Sequence, residues 1–405
     1  MSRLEKRSDR GARSVVPLVV LVFVVYCVSG WRRVTPYDYT LRVAEALLSG
    51  HLGLSTAPPP WLNEMIPKGG VWYSAFPLGS VLTMLPVAVM KKLGLISAFP
   101  GTLIAATFAA VTFWLTYGLT ARHDFTTRRR YLLALLPVMA TWMWANLAFA
   151  GAWQIALGVA VTGQLAALYF LLVRENFWLA GVSFAFAFGN RTEVLLLAPL
   201  FFFMIWRKVP AGPERAKLWF QCVLRFSIAP CLLGLATLAY NYARFGSPAD
   251  FGYARIPGVL LEPWYRDGIF SVTAIPRNAR EMLWAPWRKL NAYPYFLPTG
   301  WGGSIFLSCP SLLFLLRPSA RDKELSWLAA AAILVLTFVL WCHGNPGGWQ
   351  YSYRYAMVLL PWMLIILIES SPKRVTHLEA LLFGASVTIN AWATYLFLQS
   401  DFMRY

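Results

Sequence analysis

A chain of 405 residues has room for two or three soluble domains, yet 58% of it is hydrophobic and only 13% charged, about half the usual charged share. With a mean hydropathy of +0.54, a water-soluble fold is excluded, and the spans must be helical because open sheets leave backbone groups unpaired in lipid. The excess of 36 Lys and Arg over 18 Asp and Glu sits mostly at the ends of apolar segments, where it reports orientation and phosphate rather than nucleic acid.

In chain order, the basic run Arg3 to Arg13 reads as a cytoplasmic tail (1–13). The apolar stretch Val15 to Gly30 has no convincing small-x-small cleavage site and reads as an uncleaved first span. Further apolar stretches lie at 77–93, 99–121, 131–150, 153–173, 178–190, 193–206, 218–241, 301–316, 326–343, 355–369 and 377–400. The basic loops Arg122 to Arg130, Arg207 to Lys217, Arg317 to Lys323 and Lys373–Arg374 belong in the cytoplasm with the N-terminus. Parity then requires one early segment not to cross. Segment 77–93, short and carrying Pro77, Gly79 and Pro86, is expected to be interfacial or re-entrant.

The expected fold class is therefore all-α: a multi-pass protein of the plasma (inner) membrane with about 11 (11–12) transmembrane helices. Residues 14–405 form one domain whose long outer loops, 31–76 and 242–300, share a side with Asn190–Arg191 and His343–Tyr353. The five cysteines fall in or beside apolar stretches without paired or metal spacing and read as packing residues.

Candidate chemistry gathers on that outer side. The first loop runs through Tyr37-Asp38-Tyr39 into an amphipathic surface helix with apolar Leu41, Ala44, Leu47 and Leu48. Asp38 could act as a base on an acceptor arriving from water. Equally, Thr35, Pro36 and Asp38 spell a helix start, and Asp38–Arg42 an ordinary i,i+4 pair. Gly69 and Gly70 make a turn flanked by Glu64, a candidate second carboxylate, and Lys68, a candidate for an anionic headgroup; each also reads as a solvated loop charge. Trp72 and Tyr73 suit a membrane interface. Arg191 is either the partner of Glu193 or a guanidinium for a lipid phosphate, which its fork geometry suits. Arg354, flanked by Tyr353 and Tyr355, is a second cation or a snorkelling helix end. Arg244 opens a loop in which arginines and aromatics interleave, a pattern shared by membrane surfaces and sugar platforms.

In their order, these elements resemble the GT-C class of membrane glycosyltransferases, in particular the protein O-mannosyltransferase and aminoarabinose-transferase-like group. The resemblance covers most of the chain: the first-loop acid of Tyr37-Asp38-Tyr39, then Gly70-Val71-Trp72-Tyr73-Ser74-Ala75-Phe76-Pro77, Asn190-Arg191, Tyr240-Asn241-Tyr242-Ala243-Arg244, and Tyr353-Arg354-Tyr355. It implies an inverting transfer from a polyprenyl-phosphate-linked sugar to a hydroxyl acceptor on a lipid, glycan or protein outside the cytoplasm. Asp38 would be the base, with Glu64 as partner carboxylate. Arg191, Arg354, Lys68 and Arg244 would hold the departing phosphate, and Tyr37, Tyr73 and Tyr353 would line the pocket. One or two arginines can neutralise a monophosphate, so no cofactor is required, a divalent cation remaining open. The chain departs from the pattern twice: Tyr39 stands where many relatives carry a second acid, and Thr192 where they often carry proline. The alternative is a transporter or flippase for lipid-linked sugars, for which repeat symmetry and midplane ionisable residues are expected.

Overall fold

The computed structural model describes residues 3–32, 37–319 and 321–403, with side chains from Val15 onward. The Thr35 and Pro36 helix start and the side chains of the basic tail lie outside the described residues. Helix α1 (Arg3–Gly30) carries the first apolar stretch. The surface helix α2 (Tyr39–Leu48) buries Tyr39, Leu41, Val43 and Ala44. Strands β1 (Met65–Lys68) and β2 (Val71–Ser74) form an antiparallel hairpin pairing Lys68 with Val71. Its turn is Gly69–Gly70, at φ 59° and 78°, a backbone that two glycines adopt without a Cβ clash.

Segment 77–93 breaks at Met84 into α3 (Leu78–Thr83) and α4 (Leu85–Lys92), of 6 and 8 residues, whereas a crossing needs about 20. Lys91 pairs with Glu45 at 2.6 Å, holding α4 to α2. Gly79 lies so close to Gly189 that a Cβ would stand 2.4 Å from its Cα.

The bundle comprises α5 (Gly101–Leu119), α6 (Thr127–Met139), α7 (Met143–Ala148), α8 (Ala152–Leu172), α9 (Phe177–Asn190), α10 (Ala198–Lys208) and α11 (Arg215–Phe245). The long loop after α11 carries α12 (Ile275–Leu283), β3 (Arg288–Lys289) and β4 (Phe296–Leu297), and α13 (Ile305–Ser308), α14 (Lys323–Cys342), α15 (Leu360–Ser370) and α16 (His377–Thr394) follow. Helix α8 is central and almost wholly buried. On α11, by contrast, Leu224, Ile228, Leu232, Leu235 and Leu238 are all exposed, an apolar surface suited to lipid.

The expected count of about eleven long spans is corrected by the structure. Among the described residues five helices are long and apolar enough to cross: Gly101–Arg122, Ala152–Leu172, Arg215–Phe245, Lys323–Cys342 and His377–Gln399. The cause is local. Other apolar stretches are cut short: α6 carries Pro137, α9 ends after 14 residues, and Pro199 and Pro361 restart α10 and α15 after 3₁₀ turns. Proline removes a backbone donor and clashes with the preceding turn, so an unbroken apolar run need not be an unbroken helix.

Ion pairs gather the basic loops at one end. Buried Glu369 meets Arg122 at 2.8 Å and His123 at 3.0 Å, Arg207 meets Asp322 at 2.9 Å, and Arg129 and Arg317 share Glu379 at 2.5 and 2.8 Å. Arg129 also donates to the Arg374 carbonyl. None of these latch residues lines the cavity described below.

Helix α9 packs against α11 through Gly181, where a Cβ would stand 1.9 Å from the Phe226 carbonyl oxygen. Gly181→Ala is therefore expected to destabilise the bundle by about 1–3 kcal/mol, seen as a lowered melting temperature in detergent. Gly234→Ala on α11, with nothing within 4 Å of its Cβ position, should leave melting unchanged or raise it.

Candidate active site

A cavity of about 840 Å³ is lined by the stretches flanking α2 and β1, the first turn of α8, the segment after α9, the long loop after α11 and the chain from Val339 to Tyr355. Within it lie Glu64, Arg191, Glu193, Glu262, His343 and Arg354, with Trp61, Trp153, Trp264, Trp301 and Trp349 among its aromatic walls.

Glu64 immediately precedes β1 and is half-buried. The indole N–H of Trp153, in the first turn of α8, donates to its Oε2. Burial pushes this carboxyl up to about 7; the Trp153 hydrogen bond and the Arg354 charge pull the other way, and Glu262 reinforces the rise. A carboxylate held near neutrality suits proton transfer at physiological pH.

The two arginines are held differently. Arg354 opens the 3₁₀ segment Arg354–Leu359. Its Nη1 donates to the Gly348 carbonyl at 2.8 Å and its Nη2 to the Tyr355 hydroxyl at 3.4 Å. Its Nε is buried without a hydrogen-bond partner, and no acid pairs with it among the described residues. Arg191, at the C-terminal end of α9, is tied to Glu193, its Nη2 2.7 Å from Oε1. Both guanidiniums sit against one ring, Tyr355, at 5.2 and 5.1 Å, so they face the same part of the cavity. The preceding loop puts Trp349 and Ser352 at φ 46° and 55°, a costly backbone for residues with side chains. Buried Gln350 holds that loop in place, donating to the carbonyls of Trp301 at 2.7 Å and Pro346 at 2.8 Å.

The remaining sequence candidates divide. Tyr37 lines the cavity and stacks on Phe149. Asp38 does not line it, although both its neighbours do; its carboxylate is taken by Arg42 at 2.7 Å. Lys68 donates to the Arg244 carbonyl at 2.8 Å, away from the cavity. Arg244 is buried, donating to Ser74 O and to Asn241 Oδ1 at 2.7 Å, and lies 3.8 Å over the Tyr240 ring; its work is holding the loop to the hairpin. Tyr73 packs edge-on against Phe245, and Tyr353 is buried with its hydroxyl on the Leu340 carbonyl. None of these four lines the cavity.

Sequence reasoning missed Trp153, Glu262, Tyr253 and His343 as cavity residues. Each stands at the end of an apolar run or in the long loop after α11, where indoles and tyrosines are common for interfacial reasons, so no local signal separates them. Among the described residues no three His, Cys, Asp or Glu side chains cluster as metal ligands would.

No family model matches the chain, and no curated protein matches it. Among solved structures it is similar to the apo oligosaccharyltransferase of Archaeoglobus fulgidus, with 13% identity and a TM-score of 0.44 over 94% of this chain and 55% of that one. The chain thus spans about half the length of that protein.

Proposed function

We propose that this chain is a membrane glycosyltransferase of the GT-C class. It moves a sugar from a polyprenyl-phosphate carrier to a hydroxyl on a lipid, glycan or protein acceptor at the outer face of the inner membrane. The observation that carries this reading is one cavity holding a carboxylate tuned to about 7 and an arginine without an acidic partner. In this reading the latch of basic loops lies on the cytoplasmic side.

Outside the cytoplasm no nucleotide sugar is at hand, so a lipid carrier must deliver the activated sugar. Glu64 accepts the proton of the acceptor hydroxyl as that oxygen bonds to the anomeric carbon. The bond from that carbon to the phosphate oxygen breaks on the opposite face, and the electron pair leaves with the phosphate. Configuration inverts in this single displacement. Arg354 stabilises the charge developing on the phosphate, the kind of preorganised contact on which such transfers depend. Trp153 fixes the Glu64 carboxylate so that its second oxygen faces the acceptor. Asp38, paired with Arg42, steadies the start of α2.

The test compares cell-envelope glycans by mass analysis with and without the protein, and reconstitutes the full chain in vesicles with a radiolabelled polyprenyl-phosphate sugar. Loss of one sugar residue from a glycan, and label moved to an acceptor, are the expected results. An unchanged envelope would overturn the reading. Labelled lipid crossing the bilayer without transfer would replace it by the flippase alternative.

A further inference from the structure

We infer that His343 is a fixed hydrogen-bond acceptor for a substrate hydroxyl, so that the cavity reads a sugar or acceptor hydroxyl on the wall formed by the end of α14. The inference deepens the glycosyl-transfer reading and rests on it. His343 caps α14 and lines the cavity. Its Nδ1 lies 2.8 Å from the Asn345 carbonyl oxygen. A carbonyl only accepts, so Nδ1 carries the proton and Nε2 keeps its lone pair.

The backbone here is clamped from both sides. Gly344 N donates to Ile269 O at 2.8 Å, and Asn278 Nδ2 to His343 O at 2.6 Å. The ring is boxed by Tyr253, Tyr265, Phe270 and Tyr355, all edge-on with centroids 5.4 to 6.0 Å away. The charged groups facing it are Arg191 and Arg354, which oppose a second proton, and Glu193, which favours one. Burial dominates and lowers the imidazole to about 4. Across physiological pH the ring therefore offers an acceptor and no charge. It discriminates by leaving Nε2 unpaired when a deoxy sugar or a hydroxyl-free acceptor is bound, a penalty that buried polar groups impose strongly.

Two measurements on the full chain test this. In the first, diethyl pyrocarbonate, which acylates only unprotonated imidazole, is applied at pH 5.5 and 7.5 and His343 is followed by peptide mapping. The expected rates differ by less than about twofold, whereas an ordinary imidazole of pKa about 6.5 would slow about tenfold at the lower pH. A tenfold drop, or no acylation at either pH, overturns the inference. In the second, His343→Gln, whose amide mimics Nε2, is compared with His343→Asn, whose amide mimics Nδ1. Transfer retained better by Gln than by Asn is expected. The reverse order makes His343 only a tie to Asn345. If the wild type itself transfers no sugar, the glycosyl-transfer reading has failed, and the reagent measurement still decides whether Nε2 is a free acceptor.

Discussion

Glu64→Gln is expected to cost at least about 100-fold in transfer rate, within the range that a positioned general base supplies, while membrane insertion and abundance stay at wild-type level. Glutamine keeps the contact to Trp153 through its amide oxygen but accepts no proton at working pH. The pH profile carries the same information. Only ionised Glu64 can take a proton, and its folded pKa is raised to about 7, so wild-type activity should rise with pH through about 7 and level off above it. Asp38→Asn breaks a pair with a partly exposed arginine, at 2.7 Å on α2. Pairs of that kind contribute about 1 kcal/mol or less, so this variant should transfer sugar within a few-fold of wild type. Full activity in Glu64→Gln together with loss in Asp38→Asn would return the base to the first-loop acid. Steady-state rates of the two variants from pH 5.5 to 8.5 decide between them.

The second large effect is expected at Arg354. Arg354→Ala should lower kcat by about 100-fold or more, corresponding to about 2.7–4 kcal/mol for one preorganised donor at a developing negative charge. Arg191→Ala should cost less, because the charge removed is already offset by Glu193 at 2.7 Å. Glu193→Gln separates the two: it releases Arg191 toward the phosphate and should lower KM for the lipid-linked donor. If Arg354→Ala and Arg191→Ala weaken transfer equally and Glu193→Gln leaves KM unchanged, the phosphate is not held by these arginines in the way their partners dictate.

The gap between Arg191 and Arg354 illustrates what the sequence made legible. Arg191 is a candidate because a guanidinium beside an apolar segment is expensive unless partnered, and Arg354 because it is a cation flanked by Tyr353 and Tyr355. Which of them is already neutralised depends on Glu193 Oε1 in one case and on the carbonyl of Gly348 in the other, contacts set by the path of a short turn. Arg244, a candidate through the arginines and aromatics that interleave in its loop, is a packing residue, stacked on Tyr240 and bonded to the hairpin at Ser74. Lys68 likewise spends its charge on a backbone carbonyl.

By itself, the sequence determined the solvent this protein lives in, through the share of apolar residues, and set 77–93 apart as interfacial or re-entrant, through its shortness and Pro77, Gly79 and Pro86. It also set the turn at Gly69–Gly70 and the amphipathic α2, because helical and hairpin periods are local properties of the chain. Only the tertiary structure decided that Glu64 rather than Asp38 lies in the cavity, that Trp153 and His343 join it, and that among the described residues five helices rather than about eleven run long and apolar enough to cross. Membership of a cavity is a contact between residues far apart in the chain, and helix continuity depends on how neighbours satisfy the groups a proline frees. Neither leaves a periodic trace for local reading to find.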